Sequence, residues 1–120
     1  MRPNTNPNLI AADASISHFG VVIPADFVLR ISAQAIVTGS STGTLNIQAS
    51  NDIAPPVDST GHAAPVNWNN IPTVGTVAIA GAGTYLIPSF DVAYKWIRAS
   101  YVFTNAQAGT ISVNIQTIGN

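Results

Sequence analysis

The chain has no cysteine and no glutamate, and only 8% of its 120 residues are Asp, Glu, Lys or Arg, against about 25% in an average soluble domain. Without cysteine, disulfides and thiolate metal sites are excluded, so the fold rests on packing and association. A thiol protease, a paired-glutamate glycosidase and the common zinc ligand sets are ruled out or left short of groups. The four basic residues, Arg2, Arg30, Lys95 and Arg98, neutralise too few phosphates for a nucleic-acid role driven by counterion release. No run of about 18 apolar residues occurs, and the start from Met1 to Asn8 is polar and broken by Pro3 and Pro7. The expectation is a chain that neither spans a membrane nor carries an export signal.

Helix formers are also scarce. There are four Leu, one Met and one Lys beside 14 Ile, 11 Val and 11 Thr, a balance that favours strands because branched side chains lose χ1 freedom in helices and pack well on a pleated surface. The 17 alanines are scattered among β-branched residues and glycines, with no helical spacing sustained over several turns. Neutral groups supply the polar surface: Asn, Thr, Ser and Gln make up 36 of the 120 residues. At a formal net charge of −1, little repulsion keeps copies apart, and association is the expected behaviour.

The length suits one core, read as an N-terminal arm over 1–8 and a sandwich domain over 9–120. Alternation is clearest from Phe27 to Val37, where Phe27, Leu29, Ile31, Ala33, Ala35 and Val37 are apolar and Arg30, Ser32 and Gln34 point the other way. The runs 44–50 and 110–117 alternate in the same manner. Further strands are expected at 19–23, 66–71, 76–80, 85–87 and 93–103, the last apolar on both faces and therefore covered on both sides. Two segments share the spacing T-x4-G-T, Thr38 to Thr44 and Thr104 to Thr110, with a shorter version at 80–84; they read as β-hairpins whose glycine precedes the returning strand. Seven or eight short strands with glycine-rich turns give an all-β fold, a single antiparallel β-sandwich with the jelly roll as one of its forms.

Two segments fall outside this pattern. The arm has two destinations, a neighbouring subunit or its own sheet, and the first makes Arg2, Pro3, Asn4, Pro7, Leu9 and Ile10 candidate assembly contacts. The connection 51–65 carries no strand signal, and loops of that length are often interaction surfaces; its candidates are Asp52, Pro55, Pro56, Asp58 and His62. Asp52, Asp58 and His62 fall short of the ligand count and spacing of a cation site, so no metal or cofactor is expected. The histidines are His18 and His62 only, and no G-x-S-x-G elbow is present; no catalytic residue is assigned. His18 reads as hydrogen-bonded or at an interface. Asp91, with Lys95 and Arg98 nearby, reads as a cross-strand pairing group. Trp68 and Trp96 are either core or interface aromatics or glycan contacts.

The order Leu45 to Asp52 ending S-N-D, then Trp68 with Ile71-Pro72, then Gly83 to Ile87, then Asp91 to Tyr101 with Y-K-W-I-R-A-S-Y, and last Gly109 to Val113 resembles small β-sandwich virion proteins of tailed bacteriophages; a similar order occurs in discoidin-like binding domains. It covers residues 43–118 and is a pattern of strands and turns. The resemblance implies a non-enzymatic capsid decoration or cement protein located in the virion, with copies of itself and a major capsid or tail protein as partners. The alternative it leaves open is a carbohydrate-binding or adhesion module of a tail fibre or baseplate.

Overall fold

A computed structural model describes residues 2–25, 28–53 and 65–119, with the side chains of residues 2–4 and 29 left out. Phe27, and the loop candidates Pro55, Pro56, Asp58 and His62, lie outside the described residues. The described residues form ten strands and no helix: β1 (Arg2–Asp13), β2 (His18–Phe19), β3 (Ile23–Pro24), β4 (Val28–Val37), β5 (Thr42–Ser50), β6 (Asn69–Asn70), β7 (Thr76–Ala80), β8 (Gly83–Asp91), β9 (Trp96–Asn105) and β10 (Thr110–Gly119). One sheet runs β1-β10-β4-β8; the other runs β2-β9-β5-β6, with β3 also on β9 and β7 also on β5. Every pairing is antiparallel. Merging β2 with β3 and β6 with β7, each pair lying along one neighbour, leaves eight strands in two four-stranded sheets. The chain crosses between the sheets at all but one step, which is the double Greek key of a jelly roll.

The core is what the alternation predicts. Ile31, Ala33, Ala35 and Val37 of β4, Leu45, Ile47 and Ala49 of β5, and Ile111, Val113 and Ile115 of β10 are buried between the sheets with Ile97, Ala99 and Tyr101 of β9. Each fully buried Leu, Ile or Val contributes about 1.5–3 kcal/mol relative to exposure. The covering of β9 on both sides is partial: its outer residues Trp96 and Arg98 are half-buried, while Val102 is exposed.

Two expectations are corrected. The T-x4-G-T segments are not hairpins. Residues 38–41 carry the chain from β4 in one sheet to β5 in the other, residues 106–109 carry it from β9 back to β10, and residues 81–82 do the same between β7 and β8. All three arches lie at one end of the sandwich, where Val37 faces both Gly83 and Ile111, and Thr42 faces both Ala80 and Asn105. The two matching arches are laced together. Thr38 N–H donates to the Thr110 carbonyl (2.9 Å) and Thr110 N–H to Thr38 Oγ1 (3.0 Å). The buried Ser41 hydroxyl donates to the Gln107 carbonyl and accepts from Gln107 N–H at 2.8 Å. A hairpin and an arch need the same glycine chemistry; what separates them is which strands pair, and that is not written locally.

The second correction concerns the arm. Residues 2–13 form β1, hydrogen-bonded along the chain's own β10 from Arg2↔Gly119 to Asp13↔Thr110, so the arm takes the intramolecular destination and no break falls at residue 8. Asn8 ties it to the opposite sheet as well. It is buried (3% exposed) and reaches into the opposite sheet: Ala99 N–H donates to its Oδ1 (2.8 Å), its Nδ2 donates to the Val21 carbonyl (2.7 Å), and Val21 N–H donates to its carbonyl (3.2 Å). A strand with few apolar residues is thus fixed by a polar staple.

All four sheet edges are interrupted, and proline takes part at each. Pro3 and Pro7 lie in β1, which also shifts register on either side of Leu9; Pro88 sits at a register shift in β8; Pro24 closes the broken edge β2–β3; and Pro72 lies in the gap between β6 and β7. Pro3 and Pro7 are four residues apart within the paired register, so their nitrogens share one direction. Having no N–H for β10, they face outward. Edges treated this way resist the addition of another strand.

Candidate interaction surface

The end opposite the arches is built, among the described residues, from 51–53 and 65–68 after β5 and from the segment 92–95. Asp52 ties the connection shut at its base. Its carboxylate accepts from Val66 N–H (2.8 Å), Asn67 N–H (3.1 Å) and Asn67 Nδ2 (2.9 Å). The Asn67 side chain, then the two backbone N–H groups, hold its pKa below the ordinary carboxylate value. These are the acceptor sites a cation would need, and among the described residues no three Asp, Glu, His or Cys gather into a metal-binding group.

The same base collects both tryptophans. Trp96 Nε1 donates to the Asp52 carbonyl (3.0 Å) and Trp68 Nε1 to the Pro65 carbonyl (2.8 Å), so neither indole N–H is left for a ligand. The Lys95 ammonium sits 5.8 Å from the Trp96 ring centroid. A shallow polar groove of about 360 Å³ runs beside them, lined by Ser50, Asn51, Asp52, Asn67, Asn70 and Tyr94 among others.

Next to this base, on the outer face of the β2-β9-β5-β6 sheet, lies a constellation that strand pairing assembles. Arg98 of β9 is opposite Gln48 of β5, which is opposite Asn70 of β6. Asn70 Oδ1 accepts from Gln48 Nε2 (3.0 Å), which turns the Gln48 carbonyl oxygen toward Arg98 Nε to accept at 2.8 Å. Two rings lie against the guanidinium, its Cζ 3.9 Å from the Phe19 centroid and 4.2 Å from that of Trp68. Phe19 faces Ser100 and so reaches Arg98 diagonally along β9. Burial lowers the guanidinium pKa from its ordinary value. Composition hides this cluster, because Phe19 and Arg98 come from strands 79 residues apart in sequence; the alternation on β9, which puts Arg98 on the outer face, was its one legible sign.

The outer face of the other sheet differs. Ser32, Gln34, Ser112, Asn114 and Gln116 line it, and Thr5 Oγ1 donates to Gln116 Oε1 at 2.9 Å. Its shallow groove of about 380 Å³ holds no charged side chain. One ion pair, Arg30 Nε to Asp91 Oδ1 at 3.2 Å, marks its corner; Asp91 thus pairs across strands as expected, with Arg30 in place of Lys95 or Arg98. Exposed to solvent, such a pair contributes about 0–1 kcal/mol.

Of the assembly candidates, Leu9 is buried in the core while Ile10 is 78% exposed, and Arg2, Pro3, Asn4 and Pro7 lie along the β1 edge. Asp52, Trp68 and Trp96 are brought together. His18 Nε2 lies 2.8 Å from the Asp13 carbonyl.

No protein-family model and no curated protein matches the chain. Solved structures do. The PBSX exported protein XepA superposes with a TM-score of 0.68 at 13% identity over 98% of this chain, which spans only 37% of XepA. A chain from Bacillus endospore appendages, described as a novel family of disulfide-linked pili, gives 0.51 at 15% identity over 98% of this chain and 87% of its own. The SPBc2 prophage-derived protein YomS gives 0.47 at 11% identity over 98% and 96%. At these identities the first two likenesses establish a shared fold.

Proposed function

We propose that the chain is a non-enzymatic structural subunit of a phage virion, most simply a capsid decoration or cement protein that covers the shell as close-set copies held by subunit contacts. The observation that carries this reading is the neutral outer surface on a jelly roll whose four edges are blocked. Copies meet there with little charge repulsion, and the prolines keep them from running on by strand addition. Partners under this reading are further copies of the chain and a major capsid or tail protein. The fold shared with a chain from disulfide-linked pili supports an assembly role. Disulfide linkage of the kind named for those pili is closed to a chain without cysteine, so its contacts are non-covalent.

Light scattering of the purified protein together with mass spectrometry of purified particles tests the proposal. A stable oligomer, or a monomer retained on particles, supports it; a free monomer absent from particles overturns it. The adhesion reading has less behind it, since Trp68 gives a ring face to Arg98 and both indole N–H groups are bonded internally. A glycan screen with Trp68→Ala and Trp96→Ala separates the two.

A further inference from the structure

We infer that Arg98, clamped between Phe19 and Trp68, is a docking point for the carboxylate of an aspartate or glutamate side chain on a different protein. The inference rests on the virion reading, in which that protein is the surface the chain covers.

A guanidinium has five N–H donors in a rigid fork. Here Nε–H goes to Gln48, and the four Nη hydrogens meet no acceptor among the described residues. Two aromatic rings lie against its central carbon, and the Nη groups carry the donors left for a ligand. Three constraints fix the group before any ligand arrives: two stacked rings and a hydrogen bond from an amide that Asn70 itself orients. That arrangement suits bidentate capture of a planar carboxylate and lowers the ordering cost of binding. Arginine beside tryptophan, partly desolvated and ringed by near-neutral contacts, is also the composition of an interface hot spot. Phe19, 62% exposed, adds apolar area that a partner would cover.

The chain's own charges say where the carboxylate comes from. It has no glutamate. Among the described residues, the Asp13 carboxylate accepts from Ser15, Asp52 from Val66 and Asn67, and Asp91 faces Arg30. Of the five aspartates in the chain these three already have partners, which leaves a second copy few carboxylates to offer, whereas an unlike partner is under no such restriction.

The test titrates the full chain, labelled with ¹⁵N, with a glutamate-containing hexapeptide, its glutamine counterpart and a uronic-acid oligosaccharide, following the Arg98 Nε–H and Trp68 Nε1–H signals. The expected result is saturable shifts with the glutamate peptide alone, about tenfold weaker in Arg98→Lys, which keeps the charge and loses the fork, and gone in Arg98→Met. Thermal melts of both variants guard against unfolding. No saturable shift with the glutamate peptide, equal binding by Arg98→Met, or preference for the oligosaccharide overturns the inference. Particle retention keeps the two proposals apart. If the wild type is on particles and Arg98→Met stays equally bound, the docking point fails while the virion reading stands. If the wild type is absent from particles, the virion reading fails, and the peptide titration still decides whether Arg98 captures carboxylates.

Discussion

The two ends of the sandwich hold their connections in opposite ways. At the arch end the crossings are two to four residues long and bonded to one another, with Thr38, Ser41, Gln107 and Thr110 satisfying each other's backbone groups. At the open end, residues 51–53 and 65–67 on either side of the connection after β5 are tied together by one carboxylate. The arches satisfy one another's polar groups, while the open end gathers the half-buried Trp68, Trp96 and Arg98 around the Asp52 base. A rigid frame at one end and a displayed surface at the other is the usual division between scaffold and binding loops.

The sharpest way to break this comparison is Gly109→Ala. A Cβ there would lie 2.1 Å from the Thr38 carbonyl oxygen, at a φ of +153° that side-chain-bearing residues rarely adopt. Because the obstacle is backbone in the facing arch, relief means separating the arches. The expected loss is about 3 kcal/mol or more, read as a lower urea midpoint. An unchanged midpoint would mean that the arches are independent loops.

Asn8→Ala asks whether the rigidity extends past the arches to the middle of the molecule. The substitution strands the Ala99 N–H and the Val21 carbonyl, and the expected cost is about 2–3 kcal/mol. Hydrogen exchange should speed up along β1 as well, since the staple is what binds that edge to the opposite sheet. A loss confined to β1, with the global midpoint intact, would make β1 an accessory strand.

Tyr85→Phe is the milder probe of the arch end. Its hydroxyl accepts from Ala80 N–H (3.0 Å) and donates to the Gly81 carbonyl (2.9 Å), bracing the third arch from a strand. The site is partly open to water, so the expected loss is about 1 kcal/mol. A melt indistinguishable from wild type would show that this arch holds without its brace.

How much of this was readable in advance follows from what kind of information each part uses. The strands β4, β5, β7 and β10 were legible because a buried face writes a period of two into the chain. β1 was not: Asn8 does the work of an apolar residue through partners as far as 91 positions away, and its neighbours are proline and asparagine. The arches kept their glycine signature but not their pairing, so they passed for hairpins. At the open end Asp52, Trp68 and Trp96 were legible as unusual residues. Their convergence, and the role of Phe19 and Gln48 in holding Arg98, required the register of three strands.

The smallest expected effect is at the open end and depends on pH. The Asp52 pKa is lowered in the folded chain, chiefly by the Asn67 side chain. A lowered folded value means that its contribution is complete above the unfolded value of about 3.9 and is lost as pH falls through the folded value. The Asp52 contribution should not change between pH 7 and 5. Below about pH 4 the Val66 and Asn67 amide signals should move and exchange faster, while that of Gln107 stays in place. Asp13 is lowered in the same direction by Ser15, and it sits at the arch end, so acid alone does not isolate Asp52. Asp52→Asn does: in that variant the Val66 and Asn67 signals lose their acid dependence, and the Ser15 signals keep theirs. If the acid response at Val66 and Asn67 survives the substitution, the loop base is held by something other than this carboxylate, and the contrast between a laced end and a single-point closure fails.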